Sequence, residues 1–420
     1  MEEMRDMAQS TLAVASAAVI SLVLGDDNLL GEILLRLGFA TDLVRAAAVC
    51  RRWLRAASDP VFLRRFRDLH PPRLHGFYID SYPNPTLKRR FYAEFVPMQP
   101  QPPELAAVLR RGRFSLDTYD SQSTRVLDCR NGRVIVSLFC GGDFKRGVHS
   151  PLHPARDLVI FPQLPKKDVP DSDSYSSKIR IFYEILSKES VDGLSYFAVS
   201  LDYCVNEEKA TTCVYRLQDN AWRMQTSATT QISGLQGSSL KQLSIFLAED
   251  KIYMGITMHN ILVLDLTSST FSTIKFPDKM SFDGQIILSR ANGAGIYLSH
   301  VKDLQLCIWL HMDCNGSIGD WLLVDTISLH DLCANLKISN SSTTEDGDDP
   351  DNGDDLDAYV HMVGGNAEYV FLEMDRYILY LDVRSRALHK VHTVTEKNTL
   401  ISFIHPFMMT WPPVFPALQE

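Results

Sequence analysis

The hydrophobic residues between positions 26 and 63 recur with the spacing of short helices. Four of them stand at i, i+3, i+4 and i+7, on one face of a predicted first helix: Leu30, Ile33, Leu34 and Leu37. Asp26 and Asp27 precede that face, where a carboxylate can accept hydrogen bonds from free N–H groups. Gly38-Phe39 interrupts the pattern, and two more short helices follow before Asp59-Pro60, which predicts the start of a fourth. Three helices this short cannot bury so much apolar surface among themselves, so we expect something else to cover it.

From about residue 75 the apolar residues fall into short runs that predict β-strands. Turn-forming residues such as Asn131-Gly132 and Asp219-Asn220 separate most of the runs. Asp265 and Asp382 stand at equivalent ends of two strands, and we expect each carboxylate to accept hydrogen bonds from N–H groups of the following turn. The predicted strands are Arg133–Phe139, Asp157–Phe161, Ile181–Leu186, Tyr196–Leu201, Cys213–Leu217, Ile252–Gly255, Ile261–Leu266, Cys307–His311, Trp321–Asp325, Val370–Glu373, Ile378–Val383 and Leu400–Ile404.

Part of this region is repeated. Ile261–Leu266 and Ile378–Val383 match almost position by position, and each continues through a turn of equal length into a second strand. Weaker copies begin at Val214 and Cys307, so successive copies start 47, 46 and 71 residues apart. An insertion of about 25 residues in the last interval restores the period, and repeats of about 40–50 residues with several strands each are typical of propeller blades. The length available predicts about six to seven degenerate blades. A two-sheet β-sandwich is the alternative, and the near-constant period favours the propeller.

The charge is unevenly distributed along the 420 residues, whose formal net charge is −9. Residues 343–357 hold eight acidic and no basic side chains, which predicts an acidic disordered insertion at 340–358. Between Arg36 and Arg73 there are nine arginines against three aspartates. We interpret this basic excess as a solvated face. Nucleic-acid binding is disfavoured because the chain as a whole is acidic.

The N-terminal segment and the cysteines indicate a protein of the cytosol or nucleus. The apolar run Leu12–Leu24 is too short to span a bilayer, and the ten residues before it are acidic where a secretory signal is basic. We expect residues 1–25 to be a leader, partly disordered or helical, and we expect no membrane partner. Eight cysteines are scattered without zinc-ligand spacing, which predicts reduced thiols: Cys50, Cys129, Cys140, Cys204, Cys213, Cys307, Cys314 and Cys333.

A search for catalytic motifs finds none. The chain has no H-E-x-x-H, no G-x-S-x-G and no P-loop. An EF-hand alignment of the acidic run on Gly353 places Pro350 and Tyr359 where two calcium ligands should be. We therefore expect no catalytic residue, no cofactor and no metal.

The helical region resembles a known docking module. The spacing Leu29-x-x-Glu32-Ile33-Leu34-x-x-Leu37, then Leu43, then Val49-Cys50-Arg51-x-Trp53 is similar to the F-box, and the continuation Asp59–Phe66 resembles the plant family of F-box proteins with a β-propeller-like C-terminal region. F-boxes usually carry Leu-Pro near their start and often a second Pro after the first helix, where this chain has Leu29-Leu30 and Gly38-Phe39. The alternative is that these apolar residues form only the core of a helical subdomain.

The resemblance implies a fold and a function. The fold is an α+β multidomain chain: a small all-α F-box of three helices with the following short helix at 26–70, and an all-β propeller-like substrate-binding domain at 75–420. The F-box would dock on the Skp-type adaptor of a cullin ubiquitin ligase, and the propeller would bind an unidentified target protein. Expected docking residues are Leu29, Leu30, Ile33, Leu34, Leu37, Leu43, Val49, Cys50 and Trp53. The alternatives are a propeller enzyme or glycan-binding protein with an incidental helical leader, and an F-box protein acting outside the ligase.

Overall fold

The computed structural model describes residues 25–70, 73–82, 91–165, 178–190, 193–232, 244–257, 260–277, 286–291, 295–312, 319–336, 358–395, 400–413 and 415. They fall into two compact units. The first unit comprises the described residues within Met1–Leu74, Pro102–Ala107 and Met408–Glu420. The second unit comprises the described residues within His75–Gln101 and Val108–Phe407. Nearly all of the predicted leader and of the predicted acidic insertion lies outside the described residues.

Four helices form most of the first unit, as the pattern predicts: α1 (Asp27–Leu35), α2 (Ala40–Ala47), α3 (Arg51–Ser58) and α4 (Pro60–Leu69). The Asp26 carboxylate caps α1 by accepting hydrogen bonds from the backbone N–H groups of Asn28 and Leu29, at 2.8 and 3.2 Å. Asp59 caps α4 in the same way, 2.9 Å from the Val61 nitrogen, with Pro60 as its first residue. Both predicted helix starts are present.

The second unit is built mainly from strands. The strands of the described chain are β1 (Leu74–Tyr82), β2 (Tyr92–Pro97), β3 (Ser123–Arg130), β4 (Arg133–Cys140), β5 (Asp143–His149), β6 (Val159–Ile160), β7 (Lys178–Ser190), β8 (Gly193–Cys204), β9 (Lys209–Gln218), β10 (Ala221–Gln231), β11 (Ser244–Ala248), β12 (Lys251–Gly255), β13 (Asn260–Asp265), β14 (Thr270–Lys275), β15 (Ile286–Arg290), β16 (Gly295–Lys302), β17 (Gln305–Met312), β18 (Trp321–Ser328), β19 (Ala358–Val363), β20 (Tyr369–Met374), β21 (Tyr377–Asp382), β22 (Ala387–Thr393) and β23 (Leu400–Met408). Two further helices are α5 (Pro103–Arg111) and α6 (Leu329–Asn335), and Gly365–Ala367 forms a 3-10 turn.

The strands form the six blades of a β-propeller. Five sheets each take four consecutive antiparallel strands, from β3–β6 through β19–β22. The sixth, with the order β2-β1-β23, pairs a strand from the start of the unit with one from its end. This pairing closes the ring, because it joins the start and the end of the unit in one sheet. The fold class is confirmed, and the blade number is six.

The repeated segments occupy equivalent places. They lie in β9, β13, β17 and β21, the third strands of four successive blades. Asp265 accepts hydrogen bonds from the Thr267 and Ser268 nitrogens at 2.8 and 3.0 Å, and Asp382 accepts one from the Ser385 nitrogen at 2.7 Å. The predicted turn bonds are therefore present, and they hold the pKa of the Asp265 carboxyl below its ordinary value.

Neighbouring blades share their hydrophobic cores. Between the blades β7–β10 and β11–β14, the side chains of Val199, Val214, Ile252 and Leu264 pack in one cluster and are nearly or fully buried. A second cluster joins β15–β18 to β19–β22 through Leu306, Leu372 and others. Each blade therefore buries its faces only when its neighbours are in place, which makes the ring cooperative.

Candidate functional site

The first unit has a compact hydrophobic core. Eight residues from all four helices are nearly or fully buried in it: Leu30, Leu34, Leu35, Leu43, Ala47, Ala57, Phe62 and Phe66. Trp411 and Phe415, far away in sequence, pack against the same cluster, and the Trp411 ring stacks on Phe66 with 6.1 Å between the centroids. The helical pattern does not predict this contribution from the end of the chain.

The nine predicted docking residues divide into three groups. Leu30, Leu34 and Leu43 are at most 1% exposed and belong to the core. Leu37 and Trp53 are half-buried at the margin of the cluster. The exposed ones are Leu29 (45%), Ile33 (37%), Val49 (65%) and Cys50. We call Leu29, Ile33, Val49 and Cys50 the exposed apolar set.

Helix geometry explains part of this division. Leu29 and Ile33 stand four residues apart on α1 and therefore lie on the same face, one turn apart. Val49 and Cys50 lie in the turn between α2 and α3, where no helix imposes an inward direction. Val61 and Leu69 on α4 are also exposed, by 56% and 61%, and are absent from the predicted site. Their only signal in the sequence is an apolar side chain on the predicted fourth helix, outside the F-box spacing.

Ion pairs and hydrogen bonds join α1 to the later helices. Arg52 on α3 reaches both the Asp27 carboxylate and the Gly25 carbonyl at 2.7 Å. Arg65 on α4 lies 2.8 Å from the Glu32 carboxylate. These pairs are solvent-exposed and contribute roughly 0–1 kcal/mol each. Their main consequence is geometric, because they hold α1 at a fixed position against α3 and α4.

The start of α1 is fixed without proline. Where an F-box usually has Leu-Pro, the Asp26 side chain caps the helix. At the second place without proline, Phe39 has an extended backbone before α2, and the Arg73 guanidinium lies 4.4 Å from its ring centroid. Because His70 Nε2 lies 2.7 Å from the Leu35 carbonyl, an imidazole N–H can satisfy the other end of α1.

The basic excess of this unit is a solvated surface. Three of its nine arginines are paired with carboxylates of the same unit: Arg45, Arg52 and Arg65. Of the rest, Arg36, Arg51, Arg55, Arg64 and Arg67 are exposed. These exposed arginines belong to the same unit as the exposed apolar set, and their positive charge suits an acidic partner.

One buried and three partly buried ionisable groups lie on four strands of the second unit. Arg125 on β3 is 3.9 Å from Asp80 on β1 and 3.6 Å from Glu184 on β7. Both Asp80 oxygens accept a hydrogen bond from the Val126 nitrogen, at 3.0 and 3.1 Å. Burial raises the pKa of Asp80 to about 8 and raises that of Glu184. Burial likewise lowers the pKa of His405 on β23 to about 3.

This network ties strands together. It connects the closing sheet, through β1 and β23, to the first strands of the next two blades. Asp80 is fully buried, so a substrate has no access to its carboxyl group. Raised carboxyl pKa values accompany many catalytic sites, but here burial explains the raised pKa, and the hydrogen bond from the Val126 N–H group makes Asp80 a structural link between β1 and β3.

The described residues offer little further chemistry. Within the described residues, no group of three or more His, Cys, Asp or Glu side chains could hold a metal ion. Seven of the eight cysteines are described, and all seven are free thiols. No helix in the described part of the chain has the length and hydropathy needed to cross a membrane.

Two protein-family models match the chain. A model described as F-box-like matches residues 27–70. A model described as "F-box protein AT5G49610-like, beta-propeller" matches residues 125–415. The first covers helices α1 to α4, and the second runs from within β3 through the five four-stranded blades and past the last strand. No curated protein sequence matches significantly.

Several solved structures are similar to the chain at low levels. A protein from Lactobacillus plantarum is 12% identical with a TM-score of 0.36, over 80% of this chain and 100% of that one. The GH93 alpha-L-arabinofuranosidase of Fusarium graminearum is 10% identical with a TM-score of 0.34, over 65% and 81%. Sqt1 of Saccharomyces cerevisiae is 11% identical with a TM-score of 0.31, over 65% and 61%. We draw nothing on function from these likenesses.

Proposed function

This chain belongs to the F-box protein family with an AT5G49610-like β-propeller, and from that membership we propose that it recruits a target protein to a Skp–cullin–F-box ubiquitin ligase. The helical unit docks on the Skp-type adaptor, and the propeller binds the target. The chain acts in the cytoplasm or nucleus and makes or breaks no bond itself. Tethering raises the concentration of the target near the ubiquitin-loaded enzyme, and this proximity is the mechanism.

The exposed apolar set carries the proposal. The unit already has a complete core, yet Leu29, Ile33 and Val49 are left 37–65% exposed next to it. Apolar side chains grouped on a rigid surface are typical of protein interfaces. The surrounding arginines would speed the encounter with an acidic adaptor and fix its orientation. Leu30, Leu34 and Leu43 act indirectly, because they hold α1 and α2 in place.

The test is a double substitution on the exposed set. Ile33→Asp with Val49→Asp places two carboxylates in the proposed interface, and because both positions are exposed the unit should still fold. We expect the full-length variant to lose co-purification with a Skp-type adaptor. Leu34→Asp is unsuitable because Leu34 is 1% exposed and a buried charge would unfold the unit.

A matched control separates docking from solubility. Leu322→Asp changes an apolar residue that is 63% exposed on β18 of the propeller. It should leave adaptor binding unchanged, and circular dichroism should show that both variants are folded. If the folded double variant keeps wild-type affinity for the adaptor, the docking proposal is wrong.

A further inference from the structure

A cavity of about 340 Å³ lies beside the closing blade of the propeller. It is formed by the start of β2 and by the segment that leads into β3. Three of its nine lining residues are aromatic, Phe91, Tyr92 and Tyr119, and Asp117 is the only charged one among them. We call this site the aromatic cavity. Its volume is that of a small binding pocket.

The ring of Tyr119 is held in place before any ligand arrives. Its hydroxyl lies 2.8 Å from His149 Nδ1, and His149 Nε2 lies 2.7 Å from the Arg113 carbonyl. Because that carbonyl can only accept, Nε2 carries the proton and Nδ1 accepts from the Tyr119 hydroxyl. Burial lowers the pKa of His149, which keeps the ring neutral. The Tyr119 hydroxyl is therefore already hydrogen-bonded, and Tyr119 can contact a ligand only through its aromatic ring.

The other side of the cavity is fixed as well. The Phe91 backbone donates to the Ser123 hydroxyl at 2.9 Å and accepts from the Thr124 nitrogen at 3.0 Å. The Arg125 guanidinium lies 5.4 Å from the Phe91 ring centroid, so the Phe91 ring already makes a cation–π contact. Tyr92 and Tyr119 are the other two aromatic residues of the lining, and the Tyr119 ring has one contact with the His149 ring, 5.7 Å between the centroids.

Negative charge accompanies these rings. The Ser115 hydroxyl orients the Asp117 carboxylate by a hydrogen bond of 3.0 Å. Burial, followed by the charges of Asp117 and Glu94, raises the pKa of Tyr92, which places both carboxylates within electrostatic reach of its hydroxyl. Arg113 acts on Tyr119 in the opposite direction, but its side chain does not line the cavity. Aromatic faces together with a carboxylate favour a cationic group.

An apolar contact lies next to the rim. Phe144 in the β4–β5 hairpin is 65% exposed, and its ring lies 4.9 Å from that of Phe139. The Phe139 carbonyl accepts a hydrogen bond of 2.9 Å from the nitrogen of Gln122, a lining residue. The hairpin is thus tied to the edge of the aromatic cavity.

We propose that the aromatic cavity binds an arginine or lysine side chain of a target-protein segment, with a neighbouring apolar residue of that segment on Phe144. The cation lies between the rings of Tyr92 and Tyr119 and is neutralised by Asp117. This inference rests on the proposed function, because it identifies the surface by which the propeller holds its target. Binding concentrated in an aromatic pocket with a rim of polar groups is the usual pattern of protein recognition.

Peptide selection tests the specificity. The full-length chain is immobilised and a phage library of random 12-residue peptides is selected on it. We expect enriched peptides to carry Arg or Lys next to an apolar or aromatic residue. Enrichment of peptides without a basic residue, or no enrichment at all, would overturn the inference.

Substitutions then test the position of the site. One enriched peptide, labelled with a fluorophore, serves as the probe in fluorescence polarisation. Asp117→Lys and Gln122→Lys both place a cation at the cavity from exposed positions, and each should weaken binding about tenfold or more. Tyr92→Ala should weaken it about three- to tenfold. Asp320→Lys makes the same charge change at an exposed position before β18 and should leave the affinity unchanged. Equal affinity for wild type and both cavity lysine variants would contradict the assignment.

Adaptor binding is measured on the same proteins. Asp117→Lys should retain the Skp-type adaptor, because the substitution lies outside the docking unit. Loss of peptide binding with the adaptor retained supports the cavity. A wild-type chain that binds basic peptides but no adaptor would contradict the proposed ligase function and leave the cavity assignment standing.

Discussion

At the scale of single residues, Asp80 makes the stability of the propeller depend on pH. Its pKa is about 8 in the folded chain against an ordinary value of 3.8, because it is fully buried. The folded state therefore keeps a proton that the unfolded state loses. The stability from this group is fully present below about pH 4 and is lost as pH rises towards 8.

Asp80→Asn should remove that dependence. Asparagine keeps an oxygen for the Val126 N–H group but has no proton to lose. We expect urea denaturation from pH 5 to pH 8 to show the wild-type free energy of unfolding falling, relative to that of the variant, as pH rises. His405 and His75 have lowered pKa values, so they reduce the free energy of unfolding as pH falls, in wild type and variant alike. The difference in the free energy of unfolding between the two proteins is therefore the readout, because this common effect cancels. Identical slopes would contradict the protonated state of Asp80.

Two adjacent residues of α1, Ile33 and Leu34, should differ strongly in their contribution to the stability of the helical unit. Leu34 is 1% exposed in the core, so Leu34→Ala should destabilise the helical unit by about 2–5 kcal/mol. Ile33 is 37% exposed, so Ile33→Ala should cost about 1 kcal/mol or less. Unfolding followed by circular dichroism at 222 nm measures both. A larger loss from Ile33 would mean that the helix is rotated from the orientation described.

At the scale of elements, apolar patterning predicts the strands that are buried on both faces. In β13 four of six residues are buried and in β21 three of six, and both strands stand among the twelve predicted strands, all of which overlap observed ones. The pattern does not predict β5, whose first residues are exposed, or β3, in which Val126 alone is fully buried. Their places are set by pairing with β4, which is non-local information.

The proposed docking residues show that sequence patterning also has a limit in helices. Periodicity puts Leu30, Ile33, Leu34 and Leu37 on one face, but only packing partners decide which of them the core covers. Phe66 and Trp411 lie 30 or more residues away, and they complete the cluster that buries Leu34 and leaves Ile33 exposed. The sequence therefore predicts the helix and its apolar stripe, and the fold decides the part that faces outwards.

The N-cap of α1 should matter more here than in an F-box that begins with Leu-Pro. Asp26→Ala removes the acceptor for the Asn28 and Leu29 N–H groups and should cost about 1 kcal/mol. Because Leu29 lies in that first turn, adaptor affinity should fall as well. Asp26→Asn is the matched control, since asparagine caps about as well as aspartate and should restore both properties. Thermal unfolding and adaptor titration provide the measurements. Equal losses from both variants would indicate that charge, rather than capping, is what α1 requires.

At the scale of the whole molecule, the period of the third strands predicts the propeller, but closure of its ring depends on two distant segments. β1 and β23 meet in one sheet although more than 300 residues separate them. No local sequence pattern predicts this pairing. The long intervening chain raises the entropy cost of bringing the two strands together, but the amino-acid composition does not reveal which strands pair. Five of the six described sheets are sequential, so the sixth determines whether the blades form a ring or an open array.

Ile404→Asp should therefore open the whole ring. Ile404 lies in β23 and is 1% exposed, and an unpaired carboxylate there has no described partner and cannot be hydrated without displacing the strand. Because neighbouring blades share their cores, losing β23 exposes the first and last blades and then, in turn, the blades next to them. We expect a loss of several kcal/mol in urea denaturation and tryptic cleavage throughout the propeller. Leu322→Asp, on the exposed outer strand β18, should leave the protease resistance of wild type intact. Cleavage confined to residues around β1 and β23 would show that the blades are stable individually and that closure contributes only locally.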